Sequence, residues 1–192
     1  SHLGSIKMKS HTKFLASIAL LYASSGSVHA QSVWSDGFKS DPAKNWTYVA
    51  DTVMGGQSEG TVEFIQNEKS SFARLSGNVT TENNGGFIQV RNKLGARPVK
   101  GLSGIKINVR GNGETYYIHV RTNGTRLPWQ YYQVSFVAGK DWSEVVLPFS
   151  EFAPSGGILS KTPKSEKIKS VGIVAYGRDH TALLDVDSIG FY

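Results

Sequence analysis

The chain has 192 residues and no cysteine, which excludes disulfides, Cys-ligated zinc, thiol catalysis and Cys-linked haem. It carries 21 Lys and Arg against 15 Asp and Glu. Residues 1–30 hold three lysines and no acidic residue, so without them the surplus of positive charge falls from six to three. A surplus this small predicts no nucleic-acid binding.

The first thirty residues have the pattern of a leader. Residues 1–7 precede Met8, the first methionine, and we interpret them as a cloning remnant. Residues 8–30 combine a basic start, an apolar stretch at 14–22 and the small-x-small sequence Val28-His29-Ala30, which is typical of a secretory signal peptide. The apolar stretch is much shorter than the ~20 residues of a membrane span. We therefore expect export to the bacterial periplasm, with no stable membrane insertion after signal removal, and a single domain over residues 31–192.

Residues 31–192 consist of short alternating segments separated by Gly, Asn and Pro, and none shows a period of 3.6. This pattern predicts an all-β protein of mainly antiparallel strands. Ten strands are expected, at 46–50, 61–66, 72–79, 87–91, 105–110, 116–122, 131–137, 143–147, 171–176 and 183–192. We also expect one helical turn at 149–152 and one long polar connection at 153–170.

Two glycine-rich turns stand about thirty residues apart, at 51–58 and 83–87. Gly tolerates positive φ, and Asn and Asp bond to nearby backbone, so these residues form tight turns at low cost. The turns are interpreted as structural caps at one end of the fold; the alternative is that they converge into a rim for a ligand or partner. Their residues are Asp51, Met54, Gly55, Gly56, Ser58, Asn83, Asn84, Gly85, Gly86 and Phe87.

Strand alternation predicts an outward surface rich in Tyr and Arg, because successive strand residues point to opposite faces. Two interpretations are open: a binding surface, or the solvated side of a half-buried sheet. In either case His119 is expected to be a surface contact and not a base. The candidate residues are Arg91, Arg110, Tyr117, His119, Arg121, Tyr131 and Gln133, with Trp129 in a loop beside them.

The chemical motifs are weak. Residues 56–60 fit the G-x-S-x-G nucleophile pattern around Ser58, but a strand pattern follows where that motif needs a helix. His119 and His180 are the only histidines after residue 30, too few for a three-His metal site. Asp185 and Asp187 alternate on one face and are minor candidates for a calcium site. We therefore expect no catalytic residue, no cofactor and no other metal.

A set of motifs follows in order along the chain: Trp46 and residues 51–58, 72–77, 83–87 leading to Arg91, 102–105, 117–121, 132–136, 142–149 with Phe152, 171–173 and 184–189. This ordered set resembles the complex I intermediate-associated protein 30 family. The resemblance implies a galactose-binding-like jelly-roll β-sandwich. It also implies a non-catalytic role, because the mitochondrial members hold assembly intermediates of respiratory complex I.

The predicted function is a non-catalytic binding module that holds a protein partner in an assembly or chaperone-like role. The alternative is a carbohydrate-binding domain, in which Tyr117, Trp129 and Tyr131 stack on sugar faces. The third hypothesis is a Ser-dependent esterase that uses Ser58 and a histidine.

Overall fold

The computed structural model describes residues 33–192, which form twelve strands and five short 3-10 turns. The 3-10 turns are Pro42–Lys44, Asp51–Met54, Glu82–Asn84, Phe149–Glu151 and Ser165–Lys167. The strands are β1 Ser35–Asp36, β2 Trp46–Ala50, β3 Glu59–Gln66, β4 Ser71–Val79, β5 Phe87–Lys93, β6 Gly104–Gly111, β7 Thr115–Thr122, β8 Tyr132–Val137, β9 Ser143–Pro148, β10 Ala153–Pro154, β11 Ile168–Tyr176 and β12 His180–Phe191.

The strands form two antiparallel sheets. The first sheet has the order β3-β4-β12-β6-β9, with β1 paired to β12, and the second has the order β10-β8-β7-β11-β5-β2. One face of each strand supplies the core, as alternation requires: Ile105, Ile107 and Val109 are buried on β6, as are Ile118 and Val120 on β7. The predicted all-β class and antiparallel arrangement are confirmed.

All ten predicted strands are present, and the turn after Pro148 is confirmed as Phe149–Glu151. The long polar connection at 153–170 needs correction, because it contains β10 and the turn Ser165–Lys167 and ends early, where β11 begins at Ile168. A register shift between Ile168 and Ser170 interrupts the alternation there. The strands β1 and β10 are missing from the prediction because two residues are too few to show a period.

The predicted cloning remnant and signal peptide, at residues 1–7 and 8–30, lie outside the described residues. Export to the periplasm therefore stays a prediction. Within residues 33–192 no helix has the length and apolar character to cross a bilayer.

Candidate functional site

The outward side chains of four neighbouring strands in the second sheet meet in register. His119 on β7 stands opposite Gln133 on β8 and Gly172 on β11, and Gly172 stands opposite Arg91 on β5. Gly172 leaves room for its neighbours: a Cβ there would lie 2.7 Å from Oε1 of Gln89. We call this surface the aromatic face, and its residues are Gln89, Arg91, Tyr117, His119, Arg121, Tyr131, Gln133 and Tyr176.

His119 lies at the floor of the aromatic face. Its ring stacks on Tyr131 with centroids 4.1 Å apart and planes 11° apart, and its edge meets Tyr176 at 5.6 Å. Nε2 of His119 lies 2.7 Å from Oε1 of Gln133 and donates a hydrogen bond to it. Only 5% of His119 is exposed. The expectation of a surface contact is therefore wrong: His119 points outward from the sheet, but Tyr131 covers it.

Tyr176 joins Tyr117 and His119 of β7 and Tyr131, which directly precedes β8, into one cluster. It meets Tyr117 edge to face at 5.6 Å and accepts a hydrogen bond from the Tyr131 hydroxyl at 3.3 Å. Edge-to-face aromatic pairs hold their rings in defined orientations. The face therefore offers ring surfaces whose positions are set before any ligand arrives.

Burial controls the charges of this cluster. It lowers the pKa of His119 to about 4; the hydrogen bond with Gln133 raises the pKa, and the nearby Arg121 and Arg91 lower it. His119 is therefore neutral at pH 7. Burial also lowers the pKa of Arg121 to about 10 and raises the pKa of Tyr131 well above its ordinary range.

Arg121 ties the loop before β8 to the face. Its Nη1 donates to the carbonyls of Pro128 at 2.8 Å and Gln130 at 2.9 Å, and its guanidinium lies 5.7 Å from the ring centroid of Tyr131. The loop carries Trp129, which is 67% exposed. Trp129 therefore lies in a loop at the border of the aromatic face, with most of its side chain open to solvent.

Arg110 does not belong to this face. It lies on β6 in the first sheet, where its Nε donates to Oδ2 of Asp185 at 2.9 Å. Arg74 binds the same carboxylate through Nε at 2.8 Å, and the Arg110 guanidinium lies 4.6 Å from the Trp142 ring centroid. Alternation predicted correctly that Arg110 points outward, but the two sheets turn their outer faces in opposite directions.

The same ion pairs correct the calcium hypothesis. Both oxygens of Asp185 are bound by arginines, and Asp187 accepts a hydrogen bond from Asn108 at 2.8 Å. Across residues 33–192 no three or more His, Cys, Asp or Glu side chains form a group that could hold a metal. Asp185 thus serves as the shared partner of two arginines.

Replacing Asp185 with asparagine should lower the free energy of unfolding by about 2 kcal/mol, because it leaves two guanidiniums without their counter-charge. The arginine side chains are 35% exposed, which keeps the effect below that of a fully buried pair. Urea denaturation measures it, with Asp187→Asn as the matched control. A loss no larger than that of the control would contradict the assigned role.

The two glycine-rich turns meet at one buried carboxylate. Asp51 accepts hydrogen bonds from the Ser58 hydroxyl, from the Ser58 N–H at 3.0 Å, and from the N–H groups of Gly86 at 2.6 Å and Phe87 at 3.2 Å. A Cβ on Gly56 would lie 2.3 Å from Cγ of Asp51, and one on Gly85 would lie 2.5 Å from its Oδ2. Glycine is required at both positions because the carboxylate occupies the space of a side chain.

The other residues of these turns either adopt a left-handed backbone conformation or are exposed to solvent. Asn83 and Asn84 have positive φ angles of 55° and 58°, and the Asn83 side chain donates to the Gly55 carbonyl at 3.4 Å. Met54 is 63% exposed beside Val53, which is 75% exposed. The turns thus converge on each other, with their polar groups used internally and two apolar side chains at the tip.

Ser58 is not placed as a nucleophile. It is 1% exposed, donates to Asp51 and accepts from the Thr80 N–H at 3.0 Å. The strand β3 follows it directly, where a nucleophile elbow needs a helix. The geometry gives Ser58 a structural role in the turn and contradicts the esterase hypothesis at this residue.

The comparisons with known proteins agree with this architecture. The model of the family described as complex I intermediate-associated protein 30 (CIA30) matches residues 37–184. The chain belongs to this family. No curated protein matches this chain in sequence.

Solved structures similar to this CIA30 domain include carbohydrate-binding modules. The family 11 module of Clostridium thermocellum, in complex with a β-1,3-1,4-mixed-linked tetrasaccharide, has a TM-score of 0.65 at 16% identity, over 83% of this chain and 96% of that chain. A family 30 carbohydrate-binding module has a TM-score of 0.50 at 13% identity, over 70% and 91%. An exo-β-agarase has 0.52 at 9% identity, over 83% of this chain and 25% of the agarase. At these identities the likeness shows the fold alone, a jelly-roll sandwich.

Sequence analysis missed Gln89 and Tyr176 of the aromatic face, and it missed Gly172, the position beside Gln89 where a side chain would not fit. The sequence did contain a signal for Tyr176. Val171, Ile173 and Ala175 are apolar at every second position and are buried in the structure, so alternation turns Tyr176 outward. What the pattern could not supply is that β11 lies between β7 and β5, which brings Tyr176 against Tyr117 and Tyr131.

Proposed function

We propose that the aromatic face binds a carbohydrate chain without cleaving it. The observation that carries the proposal is the set of rings at Tyr117, Tyr131 and Tyr176, held in place by mutual contacts and by the buried His119. Sugars present apolar faces that stack on aromatic rings. Side-chain amides beside the rings, at Gln89 and Gln133, can donate to and accept from sugar hydroxyls.

The residue types at the outward positions of the face favour glycan binding over glycan hydrolysis. None of the outward residues of β5, β7, β8 and β11 is Asp or Glu, whereas glycoside hydrolysis ordinarily uses two carboxyl groups that flank the scissile bond. The fold likeness to a module solved with a bound tetrasaccharide also supports the proposal.

Tyr131→Ala should weaken binding to the glycan that wild type retains most tightly by about tenfold, the equivalent of about 1.4 kcal/mol from one lost stacking surface. An array of neutral and acidic oligosaccharides identifies that glycan, and isothermal titration measures the affinity. Tyr131→Phe keeps the ring and loses only the hydroxyl contact with Tyr176, so it should keep most of the affinity.

Trp142→Ala is the matched control, because it removes an aromatic ring from the outer side of the first sheet, where it meets Phe72 edge to face. It should leave glycan binding unchanged. Circular dichroism confirms that each variant is folded. No retained glycan, or equal losses for Tyr131→Ala and Trp142→Ala, would overturn the proposal.

A protein partner is the second candidate, and it is the one expected from the sequence. Two observations favour it: membership of a family named for association with complex I intermediates, and the exposed apolar pair Val53 and Met54 at the tip of the first turn. The Tyr131→Ala variant separates the two functions, since a partner seated on the 51–54 turn does not depend on Tyr131.

A further inference from the structure

Arg91 is a half-buried cation without a counter-charge on the aromatic face. In the part of the chain that the structure describes, four basic side chains form ion pairs with acids, and they are Lys44, Arg74, Arg110 and Arg178. Arg121 instead binds two backbone carbonyls. Arg91 has neither kind of partner within residues 33–192.

The strands around Arg91 add a second positive charge, and none of the outward residues of β2, β5, β7, β8 and β11 is Asp or Glu. Arg121 lies close enough that Arg91 lowers its pKa, and burial lowers the pKa of Arg91 itself. A partly desolvated guanidinium without an anion is an unfavourable arrangement that a bound carboxylate or sulfate relieves. The guanidinium also has the planar donor geometry that matches such anions.

The face leads into a strongly basic end of the sandwich. Lys93 follows Arg91 on the same side of β5, about 6.6 Å further along the strand. Three connections meet there through hydrogen bonds: Leu94 N–H to Lys169 O at 3.0 Å, Asn123 N–H to Lys167 O at 3.1 Å, and Ser165 Oγ–H to Val99 O at 2.7 Å.

We call the residues at 93–103, 122–131 and 155–169 the basic end. These three segments have one acidic residue, Glu166, against eight basic residues. The segments 36–45 and 67–70 lie at the same end of the sheets and add three acids and three lysines, which leaves the excess of positive charge unchanged. The turns at the opposite end mix signs, with Glu82, Glu114, Asp141 and Asp179 beside Lys140 and Arg178. The basic residues of the basic end are Lys93, Arg97, Lys100, Arg126, Lys161, Lys164, Lys167 and Lys169.

We propose that the carbohydrate chain bound by the aromatic face is acidic, with one carboxylate or sulfate group paired with Arg91 and further groups of the chain lying along the basic end. The inference rests on the proposed function and adds the ligand class to it. The rings hold the sugar faces, Arg91 selects the charge, and the basic end raises the local concentration of an anionic polymer.

The test compares glycan pairs that differ only in charge. Polygalacturonate against its methyl ester tests a carboxylate, and a sulfated galactan against its desulfated form tests a sulfate. Wild type should bind at least one acidic member about tenfold more tightly than its neutral counterpart, and added salt should reduce the preference because it screens exposed charge.

Arg91→Gln should lower affinity for the acidic member about tenfold and affinity for the neutral member by clearly less, so that most of the preference is lost, and Arg91→Lys should restore part of it. Arg178→Gln, which removes an exposed arginine at the opposite end, is the matched control and should keep the full preference. Equal affinity for charged and neutral members, with loss of both in Tyr131→Ala, would overturn this inference while the proposed function stands.

Two further outcomes also count against the inference. If neither member of either pair binds, the proposed function fails together with it. If phosphatidylglycerol vesicles bind in an Arg91-dependent way and neither acidic glycan does, the anion belongs to a membrane surface, and the acidic-glycan assignment is wrong.

Discussion

Replacing Asp51 with alanine should lower the free energy of unfolding by about 4 kcal/mol or more, because three buried N–H groups lose their acceptor and each such loss costs about 1–3 kcal/mol. The carboxylate is fully buried and joins the 51–58 turn to the 83–87 turn. A typical domain has about 5–15 kcal/mol of stability in total. We therefore expect a large part of the chain to be unfolded at moderate temperature.

Urea denaturation of the purified chain measures this effect. Asp51→Asn keeps the shape but places an NH₂ group among donors, so it should also be strongly destabilised. Glu82→Gln is the matched control, since it removes an exposed carboxylate from the neighbouring turn and should change stability by less than about 0.5 kcal/mol. A change below about 1 kcal/mol in Asp51→Ala would show that the turns hold without the carboxylate.

The lowered pKa of Asp51 also makes the stability of the fold depend on pH in acid. Burial raises its pKa, but hydrogen bonds from the Ser58 hydroxyl and from the N–H groups of Gly86, Phe87 and Ser58 outweigh burial, so the pKa lies below its ordinary value of 3.8. A lowered carboxylate pKa adds stability that is complete above the unfolded value and is lost as the pH falls through the folded value. Wild type should lose this contribution below pH 3.8, and Asp51→Asn has none to lose.

Lowering the pH from 6.5 to about 4 should cost wild type about 3 kcal/mol more stability than it costs His119→Gln. Burial lowers the pKa of His119 to about 4, whereas the unfolded value is near 6.5. Between these values the unfolded chain binds the proton and the folded chain does not, so stability falls as the pH falls. The rings of Tyr131 and Tyr176, the Gln133 amide and the cations Arg91 and Arg121 face the imidazole, and no acid faces it from the outward positions of β5, β7, β8 or β11.

Denaturant unfolding at a series of pH values tests this difference, and NMR titration of the His119 imidazole measures its pKa directly. Tyr131→Ala should move the pKa of His119 back up toward 6.5, because it removes the ring stacked 4.1 Å away. Tyr131→Phe keeps the ring and is the matched control. A measured pKa near 6.5 in wild type would contradict the burial that the stacked geometry implies.

Alternation predicted both the strands and which of their side chains point outward, because period two is a local property of an extended chain. It therefore identified Tyr117, Arg121, Tyr131 and Gln133 as outward residues. Arg110 shows the limit of this reasoning. It is outward in both the prediction and the structure, but on the other sheet, since the period carries no information about which strands pair.

The glycine-rich turns show the same contrast between local features, which the sequence predicts, and contacts between distant residues, which it does not. Their composition predicted tight turns with a structural role, because Gly, Asn and Asp form turns with residues next to them in sequence. The bonds from Asp51 to Gly86 and Phe87 join residues about 35 positions apart, and only the pairing of β2 with β5 brings them together.

The sequence by itself thus determined the all-β class, the family, the strand positions and the two turns. The strands and turns follow from the spacing of neighbouring residues, and the family follows from the order of the motifs. Only the tertiary structure decided which outward residues form one face. It placed β11 between β7 and β5, buried His119 under Tyr131, left Arg91 without an acid and gathered eight basic residues at one end. These features depend on strand order and on contacts between residues that are distant in sequence. Bringing distant segments together costs chain entropy, and only the packing of the whole core offsets that cost.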